Sequence, residues 1–476
     1  MSTSTDTQMQ SILDKQKAAH LRDGVPSAAK RREWLDKSID LLCTHRGALN
    51  DAMSADFGHR SKDQSDFADI LVSVDTLKHA KRHVRKWMRP ERRSPQFPLG
   101  LFGARAAVHF QPKGVVGIVS PWNFPVNLTF GPLAAVLAAG NRAMIKPSEF
   151  TPQTSALMAE LIADYYSDEE VAVFTGEADV GAAFTALPFD HIIFTGGTSI
   201  AYHVMRAAAD NLVPVTLELG GKSPVVIGDS ADIDKAAMRI MAGKTLNAGQ
   251  VCLAPDYVFV PDGKVDRFVE AVTAAVADMY PDGMRDNDDY SSVINERHYE
   301  RLQAWLDDAR TKGADVIEIN PRKEDFSQQS HHKMAPHIVL GATDDAKIMQ
   351  DEIFGPIMPV MPYSKIEDTV AYVNAGPRPL ALYYFGSDAR ERDYVLNNTT
   401  SGGVTVNDVV FHIAQEDLPF GGIGPSGTGA YHGRDGFLEF SHRKAVFRQT
   451  GIDLLGITRP PYGNTFRKVI GARLKR

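Results

Sequence analysis

From Val115 onward, short apolar runs alternate with helical stretches, and this alternation constrains the fold more than any other feature of the chain. Residues 115–119, 143–146, 171–175, 191–195 and 213–217 are too short for helices and too apolar for surface loops. The stretches between them carry helix signals. Residues 128–139 close on Gly140, and Thr151-Pro152 sets a cap residue before a proline at the first turn. A second series begins near Ser223, with 225–227 as a strand and 233–248 as a helix. Short strands separated by helices of about 10–15 residues imply parallel βαβ units. Ahead of them, the first 90 residues carry helical spacing (Leu35, Ile39, Leu42, Leu49, Met53), with a charged helix over 62–87. Eight Lys/Arg against one Glu over 78–93, without interleaved aromatics, read as a solvated helix face. Pro90, Pro95 and Pro98 break the helix, and 105–111 alternates like an exposed hairpin strand.

The expected fold class is therefore α/β: a first, Rossmann-like domain over 1–90 and 113–217, a second α/β domain over 218–428, and a small β-hairpin arm and tail over 91–112 and 441–476. A chain of 476 residues has room for about three units. Two cysteines exclude a disulfide scaffold, a zinc ribbon or an iron–sulfur protein. With 52 basic and 59 acidic residues the net charge is −7, which argues against a general nucleic-acid binder. Residues 1–10 are polar, without the apolar stretch of a secretory signal. The longest apolar run, 133–139, is far short of the ~18–20 residues of a spanning helix. A cytoplasmic chain is expected. The basic tail, 466–476, reads as a solvated terminus or an oligomer contact.

Two patterns mislead. Residues 422–427 form a formal G-x-G-x-x-G, yet Leu418-Pro419-Phe420 precedes it and Pro425 interrupts it, so a flexible loop is expected rather than a cofactor site. Gly221-Lys222-Ser223 mimics the end of a phosphate loop, but Thr216 stands where that loop needs glycine. Metal-ligand spacings such as His-Glu-x-x-His or Cys-x-x-Cys are missing, so no metal site is expected.

Of the two cysteines, Cys43 falls in an amphipathic helix and reads as a small buried hydrophobe. Cys252 differs: it ends a helical segment, with Gly249 before it and Pro255 after it. Glu218 closes an apolar strand and is followed by Gly220 and Gly221, whose backbone can approach another group closely. Asn123 lies in a strand-to-helix loop and carries amide donors suited to an oxyanion, although Asn is also a common turn residue.

Seven segments occur in order: Pro121-Trp122-Asn123-Phe124-Pro125, Lys146-Pro147-Ser148-Glu149, Phe194-Thr195-Gly196-Gly197-Thr198, Glu218-Leu219-Gly220-Gly221-Lys222-Ser223-Pro224, Gly249-Gln250-Val251-Cys252, Glu352-Ile353-Phe354-Gly355-Pro356 and Pro419-Phe420-Gly421-Gly422. Together they resemble the NAD(P)-dependent aldehyde dehydrogenase superfamily. The ending, from Ser426-Gly427 through Ala430-Tyr431-His432-Gly433 to Phe440-Ser441-His442-Arg443, is similar to its class 3 branch, and within that to bacterial enzymes acting on coniferyl aldehyde. The resemblance implies that Cys252 attacks the aldehyde carbon as a thiolate. It further implies that Asn123 and the Cys252 backbone N–H hold the oxyanion, and that Glu218 activates the water that hydrolyses the thioester.

It also implies that the first domain is the cofactor domain, the second the catalytic domain and the hairpin the oligomerisation arm, and it implies a cofactor site. Lys146 and Glu149 hold the adenosine ribose, and Gly196 and Thr198 flank a helix N-terminus that receives the pyrophosphate. Glu352 binds the nicotinamide ribose, and Phe354 and Trp122 belong to the same set. Glu149 repels a 2′-phosphate, so NAD is the expected cofactor, with NADP possible. One departure is Ala201, where many members have glycine.

The expected substrate is an aromatic, coniferyl-type aldehyde, with a medium-chain aliphatic aldehyde as the alternative. Trp122, Tyr431, Phe411 and Phe447 are candidates for a tunnel lining, or equally for core. A homodimer is the expected assembly. Three readings compete: a relative that passes the thioester to coenzyme A, a cofactor-free cysteine hydrolase, and a non-catalytic structural oligomer. Glu218 opposes the first, because acylating relatives usually lack it. Sequence pairs none of the fifteen histidines with Cys252 as the second requires. The trio Cys252, Glu218 and Asn123 opposes the third, since packing alone does not need it.

Overall fold

The computed structural model describes residues 2–329, 331–453 and 455–475, and among these sixteen strands form three sheets. Met1 and Arg476, the outer limits of the expected cofactor domain and tail, lie outside the described residues. The chain opens with helices Ser2–Asp23, Ala28–Thr44 and Arg46–Asp56. The expected helix over 62–87 runs from Lys62 to Trp87 but passes through a π-helical turn at Asp66–Leu71. Cys43, expected to be buried, is exposed on the Ala28–Thr44 helix: that helix buries Leu41 and Leu42 and turns residue 43 away.

After this layer come β1 (Glu91–Arg93) and β2 (Arg105–Pro112), antiparallel to each other. Five strands then build the first parallel sheet: β3 (Val115–Val119), β4 (Arg142–Lys146), β5 (Val171–Val173), β6 (His191–Thr195) and β7 (Val215–Glu218). Their order is β7-β6-β3-β4-β5. The chain winds outward from β3 through β4 to β5, then returns to the other side of β3. A crevice therefore opens beyond the carboxyl ends of β3 and β6, the place where doubly wound sheets bind ligands. The Asn127–Ala139 helix crossing between β3 and β4 is apolar all round and almost wholly buried, as befits a helix covered on every side.

The second sheet comprises β8 (Pro224–Ile227), β9 (Tyr257–Pro261), β10 (Asp315–Glu318), β11 (His337–Leu340), β12 (Ile357–Tyr363), β13 (Ala381–Phe385) and β14 (Gly403–Val406). They lie in the order β10-β11-β12-β9-β8-β13-β14, parallel except for β10 at the edge. The helix expected over 233–248 stops at Thr245. Asn247 and Ala248 take left-handed φ values of 49° and 52°, which end the helix and turn the chain toward Cys252.

The chain finally returns to the first sheet. β15 (Gly427–Thr428) pairs antiparallel with β7, placing Gly427 opposite Glu218. The preceding segment, 422–427, was expected as a flexible loop and is instead a tight turn pinned against β7. Leu219 N–H donates to the Ser426 carbonyl at 3.1 Å, and Ile423 N–H to Ser426 Oγ at 2.9 Å. β16 (Ser441–Arg448) then completes the small antiparallel sheet beside β2. The Asn464–Arg473 helix buries none of its side chains, and Arg473 donates to the Phe97 carbonyl at 3.0 Å. No helix among the described residues is long and apolar enough to cross a membrane.

Candidate active site

Three loops meet at the crevice. The loop after β3 carries Asn123, the end of β7 carries Glu218, and the turn before β9 carries Cys252. Turn 246–252 is shaped by its own amides. Gln250 Nε2 donates to the Asn247 and Ser292 carbonyls, both at 2.9 Å, and Gln250 Oε1 accepts from Ile294 N–H at 2.9 Å. Asn123 is tied to this turn, since its Nδ2 donates to the Gln250 carbonyl at 3.1 Å. An amide nitrogen has two hydrogens, so one remains to serve an oxyanion.

Cys252 keeps part of its surface open to a cavity of about 360 Å³. Burial pushes its thiol up, and the carboxylates of Glu352 and Glu218 add to the effect. The backbone N–H groups of Cys252 and Leu253 act the other way and favour the thiolate. Glu218 is 2% exposed, and neither carboxylate oxygen has a hydrogen-bond partner. Burial, then repulsion from Glu439, raises its carboxyl well above the ordinary range. A buried carboxyl with no partner is costly in structural terms, and strong perturbation of this kind marks a candidate site of proton transfer.

Glu352 also lies within electrostatic reach of the thiol. Its carboxylate lies against Gly220 and accepts from the Gly221 backbone. Burial first, then Asp256, pushes it up to about 8. Phe354 has a left-handed φ of 49° and sets its ring edge-on to Trp122, centroids 5.3 Å apart. Trp122 also meets His298, on the Glu296–Thr311 helix, at 5.2 Å. Lys146 is 2% exposed; its Nζ donates to the Pro147 carbonyl at 2.7 Å and lies 3.4 Å from Glu149. Gly196 N–H donates to the Glu218 carbonyl at 3.0 Å, which extends the β6–β7 pairing to the edge of the crevice. Gly197 caps the Thr198–Asp210 helix without any side-chain bond, and a β-carbon at Gly197 would meet nothing. A helix N-terminus without a side-chain cap is an arrangement suited to a pyrophosphate. These residues fit a dinucleotide.

The cavity beside Cys252 is walled by apolar side chains, among them Phe67, Phe124, Leu128, Leu246, Val410 and Phe411. Of the four aromatics suggested for a tunnel, only Phe411 lines it. Trp122 belongs with Phe354, Tyr431 is buried between Gly131 and Phe420, and Phe447 is exposed on β16. Sequence reasoning missed Asn247 and the buried pair Arg60 and Asp69, which hold the backbone around Asn123. It also missed Lys244, fully buried and held down to about 8, chiefly by burial. Among the described residues, no cluster of three His, Cys, Asp or Glu side chains is placed to hold a metal ion.

A doubly wound sheet whose crevice faces a cysteine and an unpartnered carboxyl defines a nucleotide-dependent oxidoreductase with a covalent step. The chain belongs to the aldehyde dehydrogenase family, whose description it matches over residues 1–446, and is an NAD(P)-dependent enzyme that oxidises aldehydes to acids. It is 59% identical over 472 residues to a probable coniferyl aldehyde dehydrogenase of Caulobacter vibrioides, covering 98% of this chain and 97% of that protein. With the coniferyl aldehyde dehydrogenase of a Pseudomonas species it shares 51% over 468 residues, covering 98% and 96%. The solved structure of Staphylococcus aureus AldH in a substrate-bound state superposes with a TM-score of 0.91 at 33% identity, covering 98% and 99% of the two chains. Betaine aldehyde dehydrogenase of Staphylococcus aureus in complex with NAD+ gives 0.83 at 25%, covering 94% and 88%.

Proposed function

We propose that the chain oxidises an aromatic, coniferyl-type aldehyde with NAD, using Cys252 as nucleophile, Asn123 as oxyanion donor and Glu218 as general base. The observation that carries the site assignment is the convergence of these three residues at one crevice, with both Glu218 oxygens left unpartnered. Cys252 gives up its thiol proton to solvent, and its sulfur, as the thiolate, bonds to the carbonyl carbon as the C=O π pair moves onto oxygen. The oxygen that becomes negative is met by Asn123 Nδ2–H and the Cys252 backbone N–H, and such a donor contributes roughly 3–4 kcal/mol in comparable sites. When bound, the nicotinamide cofactor supplies the hydride acceptor, which turns the thiohemiacetal into a thioester. Glu218 then takes a proton from water as the water oxygen attacks the thioester carbon, and the acid leaves as Cys252 sulfur is released.

Lys146 and Glu149 would hold the adenosine ribose, and Gly196 and Thr198 would place the pyrophosphate at the helix N-terminus. Glu352 would hold the nicotinamide ribose, with Phe354 and Trp122 beside it. The Glu149 carboxylate disfavours a 2′-phosphate, which supports NAD over NADP. The apolar cavity and the names of the two bacterial relatives support the aromatic substrate. We assign the domain division at 217/218, with the arm at 91–112 and 441–476. The solvent-facing β16 and the unburied tail helix support a homodimer of these arms.

An aldehyde panel with NAD and with NADP tests this reading. Aryl-propenals with NAD should give the highest kcat/KM, and Cys252→Ser should abolish turnover. A medium-chain aliphatic aldehyde outperforming the aryl-propenals would overturn the substrate, and near-full activity of Cys252→Ser would overturn the mechanism.

A further inference from the structure

Directly behind Asn123 lies a buried ion pair that the chemistry above does not use. Arg60 and Asp69 are 1% and 0% exposed, and Nη2 donates to Oδ2 at 2.6 Å. The guanidinium sits between the rings of Phe57 and Phe124, 4.8 and 5.0 Å from their centroids. Its Nη1 donates to the Asn123 carbonyl at 2.9 Å. Asp69 Oδ1 accepts from the backbone N–H groups of Val126 and Asn127 at 3.1 and 2.9 Å. One ion pair thus grips the loop 123–127 at its first carbonyl and at its last two amides. Asn247 Nδ2 adds a second donor to the Asn123 carbonyl at 3.0 Å. Asp69 reaches this position from the π-helical turn Asp66–Leu71, a distortion frequent at functional sites.

Cohesion alone is a poor account of this pair. Desolvation cancels much of the attraction between buried charges, and apolar side chains of similar volume often serve stability as well or better. Apolar side chains do not, however, donate to a carbonyl and accept from two amides. We propose that Arg60 and Asp69 are positioning residues for the oxidation step, aiming the Asn123 amide at the aldehyde oxygen through the backbone of 123–127. The proposal rests on the reading of Asn123 as oxyanion donor. A misplacement of about 1 Å costs around 100-fold in comparable sites.

The test uses the full-length enzyme with saturating NAD and an aryl-propenal, and follows NADH formation in a single turnover. Arg60→Met combined with Asp69→Leu removes the pair without stranding a charge. Asp69→Asn keeps its shape, for use where the double change prevents folding. Either should slow the single turnover about 10- to 100-fold with the NAD dissociation constant unchanged. Arg60→Lys should recover part of the rate. In an Asn123→Ala background the same changes should cause no further slowing, because a residue that acts only through Asn123 has nothing left to position. Single-turnover rates within two-fold of wild type in a folded pair variant would overturn the proposal, as would full additivity with Asn123→Ala. An Asn123→Ala variant with an unchanged rate overturns the oxyanion reading itself, and the positioning role falls with it.

Discussion

The carboxylate of Glu352 lies so close to Gly220 that a β-carbon at position 220 would overlap it. The backbone at Gly220 lies outside the left-handed region, and the nearest obstacle to a side chain there is Glu352. Gly220→Ala should destabilise the protein by about 1–3 kcal/mol, the usual cost of overpacking. In a Glu352→Ala background the same substitution should cost almost nothing. Denaturant unfolding of the four proteins of the cycle measures this, and equal costs in both backgrounds would mean that the two residues do not compete for one space.

Glu352 also acts on the nucleophile. The Cys252 thiol is raised first by burial and next by the Glu352 carboxylate, ahead of Glu218. Glu352 itself is pushed up to about 8, so it gains charge as pH rises through that value and opposes thiolate formation there. Glu352→Gln removes this opposition. The pH midpoint for alkylation of Cys252 by iodoacetamide should move to lower pH, while Glu352→Asp leaves it near the wild-type value. A midpoint that stays put or rises in Glu352→Gln rejects the coupling.

The state of Glu218 should be visible in stability as well as in rate. Its folded-state carboxyl is raised by burial and by Glu439, so the folded protein binds the proton more tightly than the unfolded chain. That stabilising contribution is complete below the unfolded value and is lost as pH rises through the folded one. Glu218→Gln carries no such loss. Its melting temperature should match wild type at low pH and exceed it increasingly as pH rises. The same variant should accumulate an acyl adduct on Cys252, detectable by mass spectrometry of the quenched enzyme. A constant melting difference at all pH values would show that Glu218 is not a strained buried acid.

What the sequence made legible were groups carried by short local patterns. Cys252, Glu218 and Asn123 each stand in a strand-end or helix-end segment whose composition marks a turn, and the strands β3 to β8 announce themselves as apolar runs. Arg60 and Asp69 had no such mark. Asp69 falls in an ordinary charged helical stretch and Arg60 in the short link just before it, and their meaning comes only from tertiary packing against residues 123–127. Ala248 favours helix by itself, so the end of the helix at Thr245 was invisible until the left-handed pair Asn247 and Ala248 was seen. The two-residue β15 is shorter than any periodicity can register, yet it clamps 422–427 to the strand that carries Glu218.

The substrate cavity offers a last test. Gly243 lies in the Ile233–Thr245 helix and lines the cavity, and a β-carbon there would overlap a methyl group of Val409, which lines it too. Gly243→Ala should therefore push Val409 inward and narrow the passage to Cys252. In a helix interior this exchange by itself favours folding by roughly 1 kcal/mol, which offsets part of the steric cost. Cys252, Glu218 and Asn123 are not touched. The KM for an aryl-propenal should rise about 10-fold, the scale of roughly one methylene in an apolar pocket, with kcat near wild type. Acetaldehyde, small enough to pass the constriction, should keep its kcat/KM. Equal losses for both aldehydes would point to general disruption, and no change for either would show that the substrate reaches Cys252 by another route.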